Sequence, residues 1–438
     1  MSTKNNKSEK VDMMVAYILN LGYHFVSTLE NDFFYIWDEH TGLYKPDGEG
    51  IIARELVKEF RGEASISTIK EVVNQIKYMK VIPADYMDAK NLLGVRNGVI
   101  DIHTREFFPT SPDNYITRCI NVEYKNSPTV CLKIDKFLRS IVAKEDVELM
   151  YELIAYCLYN GYPLQNFFIL YGTGRNGKSV FLKLLTTFLG DENVSNLDIN
   201  TILTDQFATC DLYMKMANVY GDLSDKALNE TGMLKDLTGD AKVRARQLYS
   251  KSFTFWNTCK LIYACNRIPK VKDNTDAFHR RVIIIDFPNQ FDGKDANPRI
   301  LDDLTDATEF SGLLNICLEK IDKILESGFT YTQDINKRRR MYAYRSDSFE
   351  SFLEEDIFEF IPNDNTIKLN KADVFKEYMD FCQRKKFTPD TEKGFWKRWW
   401  NSVYGTSEKR VMVEGVSIRY IIGVGLNQIK KQQGEKDE

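Results

Sequence analysis

Eight consecutive residues carry the most legible chemistry in this chain: Gly172, Thr173, Gly174, Arg175, Asn176, Gly177, Lys178 and Ser179. Their spacing is G-x-x-x-x-G-K-S, with the apolar run Phe167–Leu170 before it and Val180, Phe181, Leu184, Leu185 and Phe188 at helical spacing after it. A strand, a glycine-rich turn and a helix in that order form a phosphate cradle. The glycines let backbone N–H groups curl around phosphate oxygens, and the helix N-terminus adds a positive dipole. Lys178 is expected to reach the β- and γ-phosphates of ATP, and Ser179 to hold Mg²⁺ through its hydroxyl. The pattern therefore predicts a nucleotide site and leaves open what hydrolysis drives.

A hydrolysed nucleotide needs further ligands at the C-terminal ends of neighbouring strands. The chain offers them in order. The short apolar run 216–221 ends in Asp222, a metal or water ligand, with Asp225 close behind. The run 260–265 ends at Asn266, suited to orient an attacking water or sense a γ-phosphate. Arg280 and Arg281 open the last apolar run, 282–287. Between these lies KVRARQLYSKSFTF (242–255), whose ends alternate as strands do and whose tip falls near Tyr249, Ser250 and Lys251.

The elements that must position these groups read as a parallel α/β sheet, because apolar strands alternate with helical stretches. Ahead of it, 33–45 reads as two short strands around His40–Gly42, and 91–124 as strands with turns at Asn97–Gly98 and Ser111–Asp113. Asp101 and His103 read as a surface pair. Residues 1–10 are polar and are expected to be disordered. Helical patterns in 347–360, 371–386 and 392–403, then strand-like runs 409–414 and 416–422 around Glu414–Gly415, give three helices and a two-stranded wing. Within them, Phe395, Trp396, Trp399 and Trp400 read as core rather than as a base-stacking platform. The cluster Lys337–Arg340 reads as a solvated face.

Composition sets the outer bounds. The chain has 438 residues, 43% of them hydrophobic, enough for two or three domains. It has no membrane-length apolar run and no secretory signal, and its eight cysteines are scattered with no C-x-x-C pair, so a reduced, cytoplasmic setting is expected. Formal net charge is −4, from 59 Lys/Arg against 63 Asp/Glu. Yet residues 242–281 hold ten Lys/Arg and two Asp, which suits a dedicated anion channel.

This ordered set resembles the superfamily 3 helicases, in the branch of phage, plasmid and poxvirus primase–helicases. NLLGVRNGVIDI (91–102) with SPDNYITRCINVEY (111–124) is similar to the domain that precedes the helicase there. LKDLTGDAKVRAR (234–246) is similar to its DNA-facing hairpin motif, and LIYACNRIP (261–269) and DAFHRRVIIIDF (276–287) to its sensor and arginine motifs. The resemblance runs over roughly residues 85–425.

The resemblance implies an AAA+-like phosphate-loop ATPase core at 141–335. An α+β domain at 1–140 precedes it, and a winged-helix-like DNA-binding domain at 346–425 and a disordered tail at 426–438 follow it. It implies a homo-oligomeric, hexameric ring acting on single-stranded and forked DNA, encoded by a virus, phage or plasmid. Residues 172–179 would bind ATP, and Ser179 with Asp222 would bind Mg²⁺. Asn266 would be the sensor, and Arg280, with Arg281 as alternate, the finger reaching a neighbour's γ-phosphate. Arg244, Arg246, Tyr249 and Lys251 would face DNA. Many members carry a Glu beside or in place of the metal-motif Asp; here Gly221 precedes Asp222, so Asp222 and Asp225 both stand as the general base. No primase pattern is legible, so a stand-alone helicase is expected, with a separate primase or polymerase as partner. Two rival readings remain: an ATP-switched origin-binding initiator, and another phosphate-loop motor.

Overall fold

The computed structural model describes residues 2–127, 130–246, 252–273, 275–291, 297, 299–331, 334–355, 358–360, 364, 366–385, 387–403, 406–413 and 416–426. The hairpin tip with Tyr249 and Lys251, the turn Glu414–Gly415 and the tail 427–438 lie outside the described residues. The chain divides into two compact units: Met1–Ser224, Asn229–Asn266 and Thr275–Thr332 in the first, and Asp225–Leu228, Arg267–Asn274 and Gln333–Glu438 in the second. The first 140 residues and the parallel sheet that follows them thus fall in one unit.

That first unit is built on a five-stranded sheet. Its order is Val194–Ser195, Ala217–Tyr220, Lys260–Cys265, Phe167–Tyr171 and Val282–Asp286, every neighbouring pair parallel. A parallel sheet is covered on both faces, so its strands read as unbroken apolar runs rather than alternations. Residues 167–170 and all of 260–265 are buried accordingly. Helices Lys178–Leu189, Val147–Leu158 and Ala307–Ser327 share one hydrophobic core with the sheet, through Phe181, Leu185, Phe188, Leu153, Leu314 and Ile321 among others. Gly190 ends the first of these helices at φ 93°.

Two four-stranded sheets precede that core. One has the order Leu43–Lys45, Phe34–Asp38, Phe25–Thr28, Val81–Ile82; the other Phe107–Phe108, Gly98–Asp101, Leu92–Val95, Cys119–Ile120. Two expectations need correcting. Residues 2–20 form one helix rather than a disordered lead. Val11, Met14, Val15 and Ile18 anchor it against Ile52, Leu56, Val72 and Ile76. Once that nucleus exists, each added residue gains a hydrogen bond, so the polar lead extends the helix. His103 pairs through Nδ1 with Asp322 at 2.7 Å, while Asp101 accepts the His103 backbone N–H.

The second unit, taken by itself, has helices Ile335–Ser346, Ser348–Glu354, Lys371–Arg384 and Glu392–Ser402. A three-stranded antiparallel sheet runs in the order Lys368–Asn370, Val416–Ile422, Ser407–Val413. Phe395 and Trp399 are fully buried and Trp396 nearly so, packed with Phe349, Phe352, Tyr378 and Phe381. The aromatic stripe is therefore core, with Trp400 packed against its edge. The short segments 225–228 and 267–274 are stitched into this unit. Leu228 N–H donates to Lys270 O at 2.8 Å, and Tyr342 Oη donates to Pro269 O at 2.7 Å. Lys270 pairs with Asp347 at 3.3 Å. No helix among the described residues is long and apolar enough to cross a membrane.

Candidate nucleotide site

The strand Phe167–Tyr171 leaves the sheet at Gly172, and the loop Gly172–Gly177 delivers the chain to the helix starting at Lys178. Gly174 (φ +114°), Arg175 (φ +53°) and Gly177 (φ +83°) all take left-handed backbone, which glycine adopts at little cost. Gly177 is also crowded: a Cβ there would lie 2.5 Å from Ile141 Cγ2. Above Gly174 a Cβ would meet nothing within 4 Å, so the loop opens outward where phosphate would enter. Asn176 ties the loop down from inside. It is buried, accepts the Gly174 N–H at 2.5 Å and donates to Asn289 O at 2.9 Å. Gln290 holds the outer side through Thr173 Oγ1 at 2.9 Å.

Lys178 is 8% exposed. Its Nζ donates to Gly172 O at 2.7 Å and to Asn266 Oδ1 at 3.2 Å. Burial pulls its ammonium below the ordinary lysine value. Among the described residues its hydrogen-bond partners are neutral oxygens, those of Gly172, Asn176 and Asn266. Ser179 is exposed one residue further along the helix.

The sheet brings the other strand-end groups to this edge. Lys260–Cys265 lies between Phe167–Tyr171 and Ala217–Tyr220, so Asn266 emerges between the loop and Asp222. Leu223 N–H donates to Ala264 O at 2.8 Å, which keeps the segment carrying Asp222 on that central strand. Asp222 is exposed and makes no ion pair among the described residues. Asp225 belongs to the second unit, where it pairs with Arg267 at 3.5 Å. A Cβ on Gly221 would meet only Leu182 Cδ1, at 3.7 Å.

The two adjacent arginines separate cleanly. Arg281 is 8% exposed, donates from Nε to Thr238 Oγ1 at 3.1 Å and from Nη1 to Ala277 O at 2.7 Å, and its pKa is lowered by burial. It is packed into the fold. Arg280 is exposed, with its guanidinium on Gln165 Oε1 at 3.2 Å. Register sets where it stands: Val282 faces Phe167 and Asp286 faces Tyr171. Arg280 therefore sits at the far end of the sheet from Gly172, beyond Phe167, which is itself five strand residues, about 17 Å, from Gly172.

The hairpin pairs Lys242–Arg246 with Ser252–Trp256. Lys242, Arg244 and Arg246 are exposed on one face, and Val243 and Ala245 are buried on the other. Arg244 Nη2 donates to Ser252 Oγ at 3.1 Å. Phe33, Tyr213, Phe253 and Phe255 pack the buried side, with ring centroids 5.1–5.3 Å apart for the closest pairs.

Sequence reasoning passed over Asn176 as an internal brace, Lys260 as a fully buried cation and Trp256 as an exposed indole. A lone lysine in KLIYAC was the one available signal for the second.

Two family models match the chain: one described as "D5 N terminal like" over residues 10–143, and one described as "Family of unknown function (DUF5906)" over residues 170–281. Three viral proteins are similar to it. "Putative helicase L207/L206" of Acanthamoeba polyphaga mimivirus is 30% identical over 217 residues, covering 47% of this chain and 22% of that protein. "Putative helicase 121R" of Invertebrate iridescent virus 3 is 27% identical, covering 49% and 24%. "Putative primase C962R" of African swine fever virus is 27% identical, covering 40% and 20%. The chain thus aligns with less than a quarter of the length of each relative. Among solved structures, the apo NrS-1 C-terminal region aligns at 14% identity and a TM-score of 0.48, covering 94% of this chain and 98% of that one. The chain is similar, in sequence, to viral proteins described as helicases and primases.

Proposed function

We propose that this chain is the ATP-hydrolysing motor of a superfamily 3 DNA helicase, with an AAA+-like core and a winged-helix-like C-terminal unit. The observation that carries the reading is the buried Lys178, which lies 3.2 Å from the strand-end Asn266 inside a loop of left-handed backbone. The residues fit a magnesium nucleotide. The loop N–H groups and Lys178 would clamp the β- and γ-phosphates. Ser179 and Asp222 would hold Mg²⁺, which when bound neutralises charge building on the phosphate oxygens. Asn266 would orient the attacking water, and Asp222 would take its proton as the water oxygen bonds to the γ-phosphorus and the bond from that phosphorus to the β–γ bridging oxygen breaks, releasing ADP. Asp225 is the weaker candidate base, because it is engaged with Arg267. Arg280, remote from its own loop, would serve a neighbour's γ-phosphate in a hexameric ring, while Arg281 keeps a packing role. The cationic hairpin would then grip single-stranded or forked DNA, with a primase or polymerase acting alongside. The similarity to viral helicase-named and primase-named proteins supports replication as the setting.

The test is ATP binding and phosphate release on purified protein. Lys178→Ala is expected to lose both. Asp222→Asn, which keeps shape but removes charge, is expected to bind ATP and lose at least about a hundredfold in turnover. Turnover near wild type in Lys178→Ala would overturn the site.

A further inference from the structure

The exposed face of the hairpin is more than its tip. Cross-strand register stacks three pairs up one face: Lys242 with Trp256, Arg244 with Thr254, Arg246 with Ser252. Neither strand contains an acid. Successive cations are two residues apart, about 6.8 Å. A run of like charges at that spacing is unfavourable alone and suits a polyanion of similar repeat. At the foot stands Trp256, 54% exposed, with Lys242 Nζ 4.1 Å over its ring. Large indoles are usually well covered, so this one is out of place as packing.

Trp256 also lines a cavity of about 390 Å³ between the hairpin and the N-terminal part of the same unit. The cavity wall changes character from the face beside it. Asn31, Asn160, Asn257 and Thr258 line it with neutral polar groups, and its charges are mixed, Glu30, Asp85, Asp88 and Asp240 against Lys90, Arg118 and Lys242. Such a wall of nearly balanced charge favours a neutral ring with polar edges over a second run of phosphates. Cations run up the face and an aromatic platform opens on an amide-rich hollow of mixed charge. That is the division of labour that single-stranded nucleic acid needs between its backbone and its bases.

We infer that this face is a track for single-stranded DNA. One base stacks on Trp256 with its edge in the cavity, and the adjoining phosphates lie on Lys242, Arg244 and Arg246. The inference rests on the reading of the chain as a DNA-handling ATPase, and assigns the grip to the foot and face of the hairpin.

The experiment uses the full chain and fluorescently labelled oligo(dT), with affinity measured at several salt concentrations and folding followed by thermal melting. Trp256→Leu is expected to weaken binding roughly tenfold with its salt slope unchanged, since stacking carries no counterions. Trp256→Phe is expected to recover most of the affinity and to lose part of the tryptophan quenching that oligo(dT) causes in wild type. Arg244→Gln with Arg246→Gln is expected to flatten the salt slope by about 1.4. Wild-type affinity in Trp256→Leu, full quenching in Trp256→Phe or an unchanged slope in the double variant would overturn the track. So would a Trp256→Phe protein that binds as poorly as Trp256→Leu, which would make the indole structural. Failure of the wild-type chain to bind oligo(dT) at all would instead remove the DNA reading on which the track rests.

Discussion

Lys260 is the residue whose physics is furthest from its surroundings. Its side chain is fully buried at the start of the central strand, where Nζ donates to Tyr159 O and Thr258 O, each at 2.7 Å. The rings of Tyr156 and Tyr162 lie 4.7 and 5.4 Å from it. Tyr159 is the C-cap of helix Val147–Leu158, so the lysine satisfies a carbonyl that the helix end leaves open. Burial without a carboxylate pulls its pKa down to about 7. A neutral amine still has two N–H donors for its two carbonyls. The sign follows from proton counts. Between pH 7 and about 10.4 the unfolded chain holds a proton here that the folded chain has released, so stability rises with pH across that window. Below pH 7 the folded state carries the full cost of a buried charge. Urea denaturation of wild type and Lys260→Met over pH 6–9 measures this. The variant is expected to match or exceed wild type at pH 6. At pH 9 it should fall about 1–3 kcal/mol below, because two carbonyls lose their donor. A constant difference across the range would mean that the lysine stays charged.

At the scale of elements, the glycine-rich loop Gly172–Gly177 between strand and helix is where sequence and structure correspond most directly. Its glycines were legible because left-handed backbone and close packing leave few alternatives, and Gly177 meets both demands. Gly177→Ala is expected to cost about 1–3 kcal/mol in urea denaturation and to weaken ATP binding. Trimming the neighbour with Ile141→Ala should return the contact part of that loss and leave the backbone part. Core strands were legible as apolar runs, and the hairpin as an alternation; the three cations on one face emerge from its register. The choice between Arg280 and Arg281 was not, since adjacent residues at a strand entrance differ only in the direction each faces. Asp225 was equally opaque: three residues from Asp222 in sequence, it joins the other unit. The helical lead 2–10 was hidden because its polar residues borrow order from Val11 onward, which local composition does not register.

For the whole molecule, the sheet register has a direct consequence for assembly. Arg280 and Gly172 lie at opposite ends of the sheet, so in a ring the arginine serves another copy's site or none. Mixing Arg280→Ala subunits with Lys178→Ala subunits is expected to restore part of the ATPase, from interfaces that retain both residues, while each variant alone is inactive. Absence of rescue at every mixing ratio would assign Arg280 to a structural role. The similarity to viral proteins falls over about half of this chain, so the remainder owes its reading to geometry and sequence pattern. Two short segments of the chain give the last consequence. Residues 225–228 follow Asp222 and residues 267–274 follow Asn266, and both fold into the C-terminal unit. That unit is therefore not a cassette hung on a single tether. Cutting the chain after residue 332 would strand residues 267–274 without Tyr342 and Asp347, their partners in the intact protein, and with them residues 225–228, which bond to 267–274 through Leu228 and Lys270. Exchange of this unit between relatives by recombination would have to carry three separate stretches of coding sequence together. Descent should thus keep the two units as one inherited block.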